Sequence, residues 1–524
     1  MSGSFVSRRR FLVGVGTGAA GVVLAACSSA PAAAPTQAPV AAPAAQPTKA
    51  AAPAAQPTAA PTAAPAAAAQ PTTAAQPTTA AAVATTAPAS QGVPSTGKAV
   101  SGTVNWLVRT TIQENDGQAK VFEPLIKQQY PTLKINRIIV PSAEYIPKIN
   151  SMAAAKESLE IWGFGGNYMD YWWRGLPQDL NQYIAADKWD IANYFLPGLS
   201  DIYMIGGKHW GLPQQPTYGS VLAYNKDMFD KAGLSYPPVD WNDETWNLEK
   251  AMTYAEKLTS NPGKPNGTYG FNLNVWQEET ALAYLWGGDS WLPEHYTNFI
   301  APKTAFGSDA NMAAHQFKHD MMYKSQVQPN PSVMQGMNSF SDPFFSNKVG
   351  MEADGGWLYW TLSNLNTFKF GYAAIPGQTA NKTINFDDQW IMGRWSQNQD
   401  AAWAVMRVLT SVPATQQYSV MSGAPPAPRD SKEAWITQVS KHTGQSVADL
   451  DKVTSGAIVK TRSQESPDHL FLQFAKIDTA YNNEIAKLWN DPNATVAKVW
   501  PGIVTAMDTA VAGIYKEFNG TRPA

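Results

Sequence analysis

The chain has almost no cysteine, because Cys27 is the only one in 524 residues. No disulfide can form within the chain, which excludes the small secreted domains that depend on disulfides. Long apolar runs are also scarce. The apolar stretch at residues 13–23 is too short and too rich in glycine for a membrane span, which needs about 20 apolar residues.

Charged residues are few, at 15% of the chain, and the formal net charge is −2. We see no basic stripe of the kind that binds nucleic acid, so we expect no nucleic-acid partner. Metal chemistry has little support as well. His315 and His319 are four residues apart on a predicted helix, but the residues between them lack the glutamate of the metalloprotease pattern. We therefore predict neither a metal site nor a cofactor.

The first 27 residues have the pattern of an export signal. Arginines at positions 8–10 precede the apolar stretch, and Leu-Ala-Ala-Cys follows it at 24–27. This order of basic, apolar and small residues is typical of a signal peptide. Arg8 and Arg9 resemble the twin-arginine export motif, and residues 24–27 resemble a bacterial lipobox. We predict a signal peptide at 1–26 and a lipid anchor at Cys27 on the outer face of the cell membrane.

The next segment, residues 27–100, is predicted to be a linker. It consists almost entirely of Ala, Pro, Thr and Gln, and Lys49 is its only charge before Lys98. Proline at short intervals prevents a helix, and the segment has too little bulky apolar surface to offset the entropy of ordering. We expect a disordered or polyproline-II spacer.

The remaining residues, 101–524, alternate between strand-like and helix-like segments and contain almost all of the 58 aromatic residues (19 Trp, 20 Tyr, 19 Phe). This alternation predicts a mostly parallel sheet covered by helices, and a segment this long predicts two lobes. Ligands bind beyond the carboxyl ends of the strands in such sheets. The loops after Val108 and after Trp162 are therefore candidate site loops.

An ordered set of motifs runs through this segment. Its members are Gly-Lys-His-Trp-Gly-Leu-Pro at 207–213, Leu-Ala-Tyr-Asn-Lys-Asp-Met-Phe-Asp-Lys-Ala-Gly-Leu at 222–234, Phe-Phe-Ser-Asn-Lys-Val-Gly-Met at 344–351, Phe-Gly-Tyr-Ala-Ala-Ile-Pro-Gly at 370–377, Ser-Gln-Asn-Gln-Asp-Ala-Ala-Trp at 396–403 and Gly-Ala-Pro-Pro-Ala-Pro-Arg at 423–429. The set resembles the carbohydrate (maltose-binding-like) family of extracellular solute-binding proteins of ABC importers. One departure is Gln397, where the family usually has lysine.

The resemblance implies an α/β fold of the periplasmic-binding-protein type (type II), with two lobes that close on a ligand about a hinge. Lobe 1 would comprise about 101–213 and 388–412, and lobe 2 about 222–376 and 413–524. The crossovers would lie near 214–220 and 378–387. It also implies a monomer that binds a small carbohydrate, works with the transmembrane subunits of an ABC permease and has no catalytic residues.

Sugars present an apolar face and an edge of hydroxyls, so a sugar site needs flat aromatic rings and planar polar side chains. The loops at the predicted strand ends and crossovers contain both kinds. The predicted ligand-binding residues are Arg109, Glu114, Phe164, Asn167, Tyr168, Gln214, Tyr218, Trp276, Asp354, Trp357, Asp388 and Trp390. The predicted core tryptophans are Trp172, Trp173, Trp241, Trp246, Trp403 and Trp489.

Two other function classes remain open. A secreted glycosidase has the same need for aromatic rings, and it requires two carboxyl groups about 5–10 Å apart. Asp387, Asp388 and Glu114 are the candidates for such a pair. A sensor or adhesion protein on the same fold would bind a sugar without delivering it to a permease.

Overall fold

The computed structural model describes residues 100–110, 112–163, 168–275, 277–337, 343–461 and 467–520, without the side chains of residues 112–114. The predicted export signal and linker lie outside these residues.

The described residues form two main β-sheets. The strands are β1 Gly102–Arg109, β2 Leu133–Val140, β3 Ile161–Trp162, β4 Met204–Ile205, β5 Lys208–His209, β6 Leu212–Pro216, β7 Ser220–Asn225, β8 Tyr269–Leu273, β9 Val349–Gly355, β10 Phe370–Ala373 and β11 Asp387–Met392. One sheet has five strands in the order β2-β1-β3-β11-β6, and the other has four in the order β10-β7-β9-β8. We call the parts built on these sheets the first lobe and the second lobe.

Helices cover both sheets. They are α1 Ile112–Gly117, α2 Glu123–Gln129, α3 Ser142–Ala155, α4 Tyr168–Trp173, α5 Asn181–Ala186, α6 Ile191–Tyr194, α7 Lys226–Ala232, α8 Leu248–Leu258, α9 Glu278–Leu285, α10 Pro293–Asn298, α11 Asp309–Tyr323, α12 Pro331–Met337, α13 Leu358–Thr361, α14 Gln399–Leu409, α15 Val412–Ser422, α16 Lys432–Thr443, α17 Val447–Lys460, α18 Pro467–Leu470, α19 Phe474–Trp489 and α20 Val496–Glu517. A π-helical turn, Gln118–Phe122, joins α1 to α2.

Local sequence accounts for many of these elements. Helix α8 begins at Asn247, whose side chain accepts a hydrogen bond from the Lys250 N–H at 2.9 Å and so caps the helix. Its buried residues, Leu248, Ala251, Ala255 and Leu258, recur at the spacing of one helical face. Helix α8 therefore packs this apolar stripe against the second sheet and leaves its charged side chains in solvent.

The prediction of a mostly parallel sheet is confirmed, with one strand reversed in each sheet. Strands β2 and β3 run parallel to β1, but β11 runs antiparallel to β3 and to β6. In the second sheet β8 is parallel to β9, whereas β7 is antiparallel to β9 and β10. The reason is topological. Strands β7 and β11 each follow a crossover from the other lobe, so each enters its sheet at the edge where the neighbouring strands end.

The antiparallel strands place both chain crossings at the facing edges of the two sheets. In the first lobe this edge is formed by the ends of β1, β3 and β6 and by the start of β11. In the second lobe it is formed by the ends of β8, β9 and β10 and by the start of β7.

Most of the predicted core tryptophans are buried. Trp241, Trp246, Trp403 and Trp489 are at most 6% exposed. Trp172 is half-buried, and Trp173 is 37% exposed, so the core prediction is wrong for Trp173. Its ring lies on the surface against Phe518, with the ring centroids 5.1 Å apart.

The last two helices pack against α11 of the second lobe. The Trp489 ring stacks on His315 at a centroid distance of 5.8 Å, and the Trp500 indole donates to the Phe306 carbonyl at 2.7 Å. The His315 nitrogens make hydrogen bonds with the Asn311 carbonyl (2.8 Å) and the Tyr481 hydroxyl (2.9 Å). His315 thus serves to pack α19 and α20 onto the lobe.

Candidate functional site

Two chain segments cross side by side from one lobe to the other. The Thr217 N–H donates to the Phe386 carbonyl (2.8 Å), and the Phe386 N–H donates to Thr217 Oγ1 (3.0 Å). Beyond them, the Gly219 N–H donates to Asn385 Oδ1 (3.3 Å) and the Ser220 N–H to Thr383 Oγ1 (2.6 Å). These bonds make the crossovers a double-stranded connection between the facing edges.

A tight turn after β9 contacts this connection. The Gly356 N–H donates to the Gly219 carbonyl at 2.8 Å. A Cβ atom at Gly356 would lie 1.7 Å from the Thr217 carbonyl oxygen, so only glycine fits there. The loop that carries Trp357 is therefore held directly against the crossover.

Two predicted site residues of opposite charge lie near the same buried tyrosines at the first-lobe edge. Arg109 ends β1 and is 6% exposed, and Asp388 near the start of β11 is 2% exposed. Both act on the same buried phenol. Burial raises the pKa of Tyr418 above its ordinary value, the Asp388 charge raises it further, and the Arg109 charge lowers it. Both charges also influence the pKa of Tyr145, which burial likewise raises.

The two tyrosines connect the elements around Arg109 and Asp388. The Tyr145 hydroxyl accepts a hydrogen bond from the Gly163 N–H (3.0 Å) and donates to the Leu107 carbonyl (3.2 Å). It therefore ties the end of β3 to β1. The Tyr418 hydroxyl donates to Gln215 Oε1 at 3.2 Å, which joins α15 to the first crossover.

Neither tyrosine is predicted as a site residue from the sequence. Tyr145 lies on the apolar face of a predicted helix, where core packing is the ordinary reading. Tyr418 lies on α15, whose apolar residues form no single stripe, so no pattern marked it.

Gln214 and Trp390 lie side by side beneath the first-lobe edge. With its amide nitrogen turned toward them, Gln214 donates to the Gly163 carbonyl (2.6 Å) and the Gln389 carbonyl (3.2 Å). The Trp390 ring is 2% exposed and lies edge-on to Trp106 at 5.6 Å. A cavity of about 10 Å³, room for about one water molecule, lies between these two residues and α15.

Tyr168 is anchored through Tyr203 to the second crossover. Its hydroxyl donates to the Tyr203 carbonyl at 3.0 Å, and the two rings meet edge to face at 4.9 Å. The Tyr203 hydroxyl in turn contacts the Asp387 carbonyl (2.9 Å) and Oδ2 (3.0 Å). The chain of contacts connects the start of α4 with the start of β11.

Tyr218 lies in the first crossover with a left-handed backbone, at φ 54°. Its hydroxyl donates to the Pro426 carbonyl at 2.5 Å, and its ring meets Trp435 edge to face at 5.4 Å. The structure therefore places this side chain against the loop before α16, where it is 1% exposed.

Asp354 and Trp357 lie together at the second-lobe edge. Asp354 Oδ2 accepts hydrogen bonds from the Trp357 indole (3.3 Å) and the Asn274 amide (3.2 Å), while Oδ1 accepts the Gly355 N–H (2.7 Å). These three donors fix the carboxylate, which in turn orients the half-buried Trp357 indole.

Aromatic contacts lead from Trp357 to the last part of the chain. The Trp357 ring meets Phe386 edge to face at 6.5 Å, and Phe386 packs on the buried His469 ring at 4.6 Å. Neither Phe386 nor His469 is predicted as a site residue from the sequence. Phe386 directly precedes Asp387 and Asp388 in the sequence, so its position in the predicted crossover could have marked it as a site residue.

Several predicted residues lie outside the described part of the chain. They are Arg8, Arg9, Cys27, Phe164, Asn167 and Trp276, together with the side chain of Glu114. The structure brings together Gln214 with Trp390 and Asp354 with Trp357. It places Arg109 and Asp388 near the same two tyrosines, Tyr145 and Tyr418. Direct contact of any of these residues with a ligand stays a prediction.

Residues 120–498, well over half of the chain, match the model of the family described as bacterial extracellular solute-binding protein. The chain belongs to this family.

Sequence relatives agree with the assignment. A putative binding protein of Brucella abortus is 25% identical over 315 residues, which cover 58% of this chain and 71% of that protein.

Solved structures of solute-binding proteins share the fold. An ABC substrate-binding protein of Listeria monocytogenes, in complex with cycloalternan, has a TM-score of 0.64 at 20% identity and covers 80% of this chain and 99% of its own. The sugar-binding protein MalE of Xanthomonas citri has a TM-score of 0.61 at 16% identity, with 80% and 99% of the two chains covered. These likenesses confirm the predicted two-lobe α/β fold of the periplasmic-binding-protein type.

No helix within the described residues is both long enough and apolar enough to cross a bilayer.

Proposed function

We propose that this family member is the lipid-anchored, extracytoplasmic binding protein of an ABC importer, and that it binds a sugar or oligosaccharide between its lobes. The main support is the composition of the facing edges. The first lobe offers a planar cation and a carboxylate in Arg109 and Asp388. The second lobe offers an indole that a carboxylate orients, in Trp357 and Asp354.

This combination suits a polyhydroxylated ligand. The indole face of Trp357 covers the apolar C–H face of a pyranose, while guanidinium and carboxylate groups form paired hydrogen bonds with hydroxyls. Structures of similar fold hold cycloalternan, maltose, maltotriose and tagatose, which supports the sugar class and leaves the individual sugar open.

The mechanism is a shift of population between open and closed lobes. A ligand that touches both edges contacts them together only when the lobes are closed, so it stabilises the closed form. Micromolar affinity corresponds to about −8 kcal/mol, enough to change that equilibrium by several kcal/mol. The closed form then presents both lobes at once to the permease.

The function is tested by titration with a panel of mono- and oligosaccharides that includes the four sugars above. We expect one class to raise the melting temperature, because ligand at 100 times Kd adds about 2.7 kcal/mol of stability. Tryptophan fluorescence gives a second readout. A panel in which no sugar moves either signal, while a peptide or a polyamine does, rules out the carbohydrate assignment.

A pair of tryptophan variants locates the ligand. Trp357→Ala removes the indole at the second-lobe edge and is expected to weaken sugar affinity at least tenfold. Trp286→Ala is the matched control, because Trp286 is also half-buried but packs against Phe317 at 5.4 Å on α11. Equal loss of affinity in both variants would contradict a site at the facing edges.

The anchor and the export route have separate tests. Cys27→Ser is expected to abolish incorporation of radiolabelled palmitate. Arg8→Lys together with Arg9→Lys is expected to block export if the twin-arginine route is used. Unchanged secretion of the double variant assigns the protein to the general secretory route and leaves the lipid anchor intact.

Two assays separate the transport role from the other function classes. Hydrolysis of chromogenic glycosides would indicate a glycosidase, and we expect none. Co-purification with permease subunits is expected for an importer and not for a sensor or adhesion protein.

A further inference from the structure

A contact between the lobes lies where α4 meets the last helices. Helix α4 belongs to the first lobe, since Tyr171 packs edge to face on Trp162 of β3 at 5.9 Å. Helices α19 and α20 belong to the second lobe through their packing on α11. Helix α18, just before α19, packs against α4.

The centre of this contact is a carboxylate from one lobe at the start of a helix from the other. Asp170 Oδ1 accepts a hydrogen bond from the Gln473 N–H at 2.9 Å. Gln473 is the residue that precedes α19, and that helix has neither a side-chain cap of its own nor an acidic residue in its first turn. Asp170 therefore supplies the negative group that a helix N-terminus favours.

The neighbouring tryptophan adds a second contact. The Trp173 indole donates to Asp170 Oδ1 at 3.2 Å, and its ring meets Phe518 edge to face at 5.1 Å. Phe518 directly follows α20. This is why Trp173 lies on the surface and not in the core of the first lobe.

Polar groups behind the contact hold the second-lobe side in place. The Gln473 amide donates to Glu517 Oε1 at 2.7 Å, and Lys476 Nζ lies 3.0 Å from Glu517 Oε2. The start of α19 and the end of α20 are thus joined to each other within the second lobe, independently of Asp170. Separation of the lobes at this point must break both the Asp170–Gln473 bond and the Trp173–Phe518 contact.

We propose that Asp170 and Trp173 form a latch that stabilises the closed lobes and thereby sets ligand affinity without contact with the ligand. This inference rests on the proposed function, because a latch matters for affinity only if the ligand binds between the lobes. Loss of the latch shifts the equilibrium toward the open form, and the ligand must then supply the difference.

The test measures the distance between the lobes by single-molecule fluorescence transfer. Cys27→Ser leaves the full chain without cysteine. Ser151→Cys on α3 and Ala512→Cys on α20 then carry the dyes at exposed positions on the two sides of the latch. Ser151 is next to Asn150, which Arg174 contacts at 2.7 Å, so the pair reports opening at this place.

Asp170→Leu is expected to lower the ratio of the short-distance to the long-distance population about 2- to 30-fold without ligand, the range for the loss of one helix cap. Sugar affinity is expected to fall by a comparable factor. Trp173→Ala gives a milder variant that preserves the carboxylate. Asp190→Leu is the control, because Asp190 caps α6 within the first lobe through the Asn193 N–H at 3.3 Å.

The outcomes are distinguishable. If the short-distance population is unchanged in both Asp170→Leu and Trp173→Ala and sugar still binds with full affinity, the latch is overturned. The proposed function is then left intact. If the short-distance population falls in the two variants but no sugar binds the protein, the latch is supported and the proposed function is overturned. An equal shift in Asp190→Leu shows a general loss of stability and also overturns the latch.

Discussion

Both lobes contain a buried ion pair completed by a tryptophan indole, yet the two pairs differ in their cation. In the first lobe Arg407 Nε lies 3.2 Å from Asp187 Oδ2, and the Trp403 indole donates to the same oxygen at 3.0 Å. In the second lobe Lys318 pairs with Glu278 Oε2, and the Trp489 indole donates to Oε1 at 2.7 Å.

The difference lies in what else the cation touches. The Arg407 guanidinium lies 3.4 Å from the centre of the Trp189 ring, whereas Lys318 Nζ lies 5.4 Å from the Trp489 ring. A planar guanidinium stacks on an aromatic face, and a lysine acts as a compact charge that depends more on its counter-ion. Arg407 therefore keeps the closer aromatic contact when its carboxylate partner is lost.

The two pairs also have a common place in the topology. Arg407 lies on α14, which follows β11 after the chain has returned to the first lobe. Trp489 lies on α19, after the chain has returned to the second lobe. Each pair joins a returning segment to the lobe that it enters, and in the second lobe that segment also carries Gln473, which donates to Asp170.

The largest effect is expected for Glu278→Gln. The variant removes the carboxylate charge that pairs with the buried Lys318, and breaking a buried ion pair in this way costs about 3–5 kcal/mol of unfolding free energy. Urea denaturation measures it. Glu484→Gln is the control, because its pair with Lys487 at 2.7 Å involves the 59% exposed lysine side chain and is worth under about 1 kcal/mol. Equal costs for both variants would contradict the role of burial.

A smaller loss of unfolding free energy is expected for Asp187→Asn. Its stacking on Trp189 continues to stabilise Arg407, and a desolvated cation–π contact is worth about 2 kcal/mol. We expect a cost about 1–2 kcal/mol below that of Glu278→Gln in the same urea assay. Trp189→Leu in the Asp187→Asn background should remove this difference. A larger loss for Asp187→Asn than for Glu278→Gln would reverse the comparison between the lobes.

The loss of stability in acid is a third point of comparison, because the second lobe contains the buried histidines His295 and His315. Burial lowers the pKa of each to about 4, below the ordinary value of 6.5. The unfolded chain then binds more protons than the folded one between these values, so stability is full above pH 6.5 and falls as the pH drops toward 4.

The histidine prediction is tested with His295→Phe. The His295 ring packs between Trp291 (5.2 Å) and Phe471 (5.0 Å), where a phenyl ring has a similar shape. We expect the variant to lose about 3 kcal/mol less than the parent between pH 7 and pH 4, from the shift of about 2.5 pKa units at about 1.36 kcal/mol each. Identical pH dependence of the two proteins would show that His295 does not contribute.

Local patterns predicted many of the elements. The sequence at 133–140 predicts a strand, which forms at those residues, and the sequence at 143–156 predicts a helix, which forms as Ser142–Ala155. Their apolar spacing and terminal residues decide them without help from distant parts of the chain. The reversed directions of β7 and β11 were not predictable in this way, because they are set by where the chain re-enters each sheet.

The candidate site was predicted in part for the same reason. Loops that follow strands were recognised from sequence, so Arg109, Asp354, Trp357 and Asp388 were named before any geometry. Tyr145, Tyr418 and His469 come from helices, and their patterns are those of ordinary core residues. Only their packing shows that they surround the facing edges.

The sequence by itself determined the two-lobe α/β fold and predicted an export signal and a linker, because composition, periodicity and motif order are local properties. The tertiary structure alone decided which side chains meet across the lobes. Asp170 is an unremarkable residue of a short helix until Gln473, some 300 positions later, brings an uncapped helix start to its carboxylate. Such a contact depends on the packing of two lobes, and no local pattern encodes it.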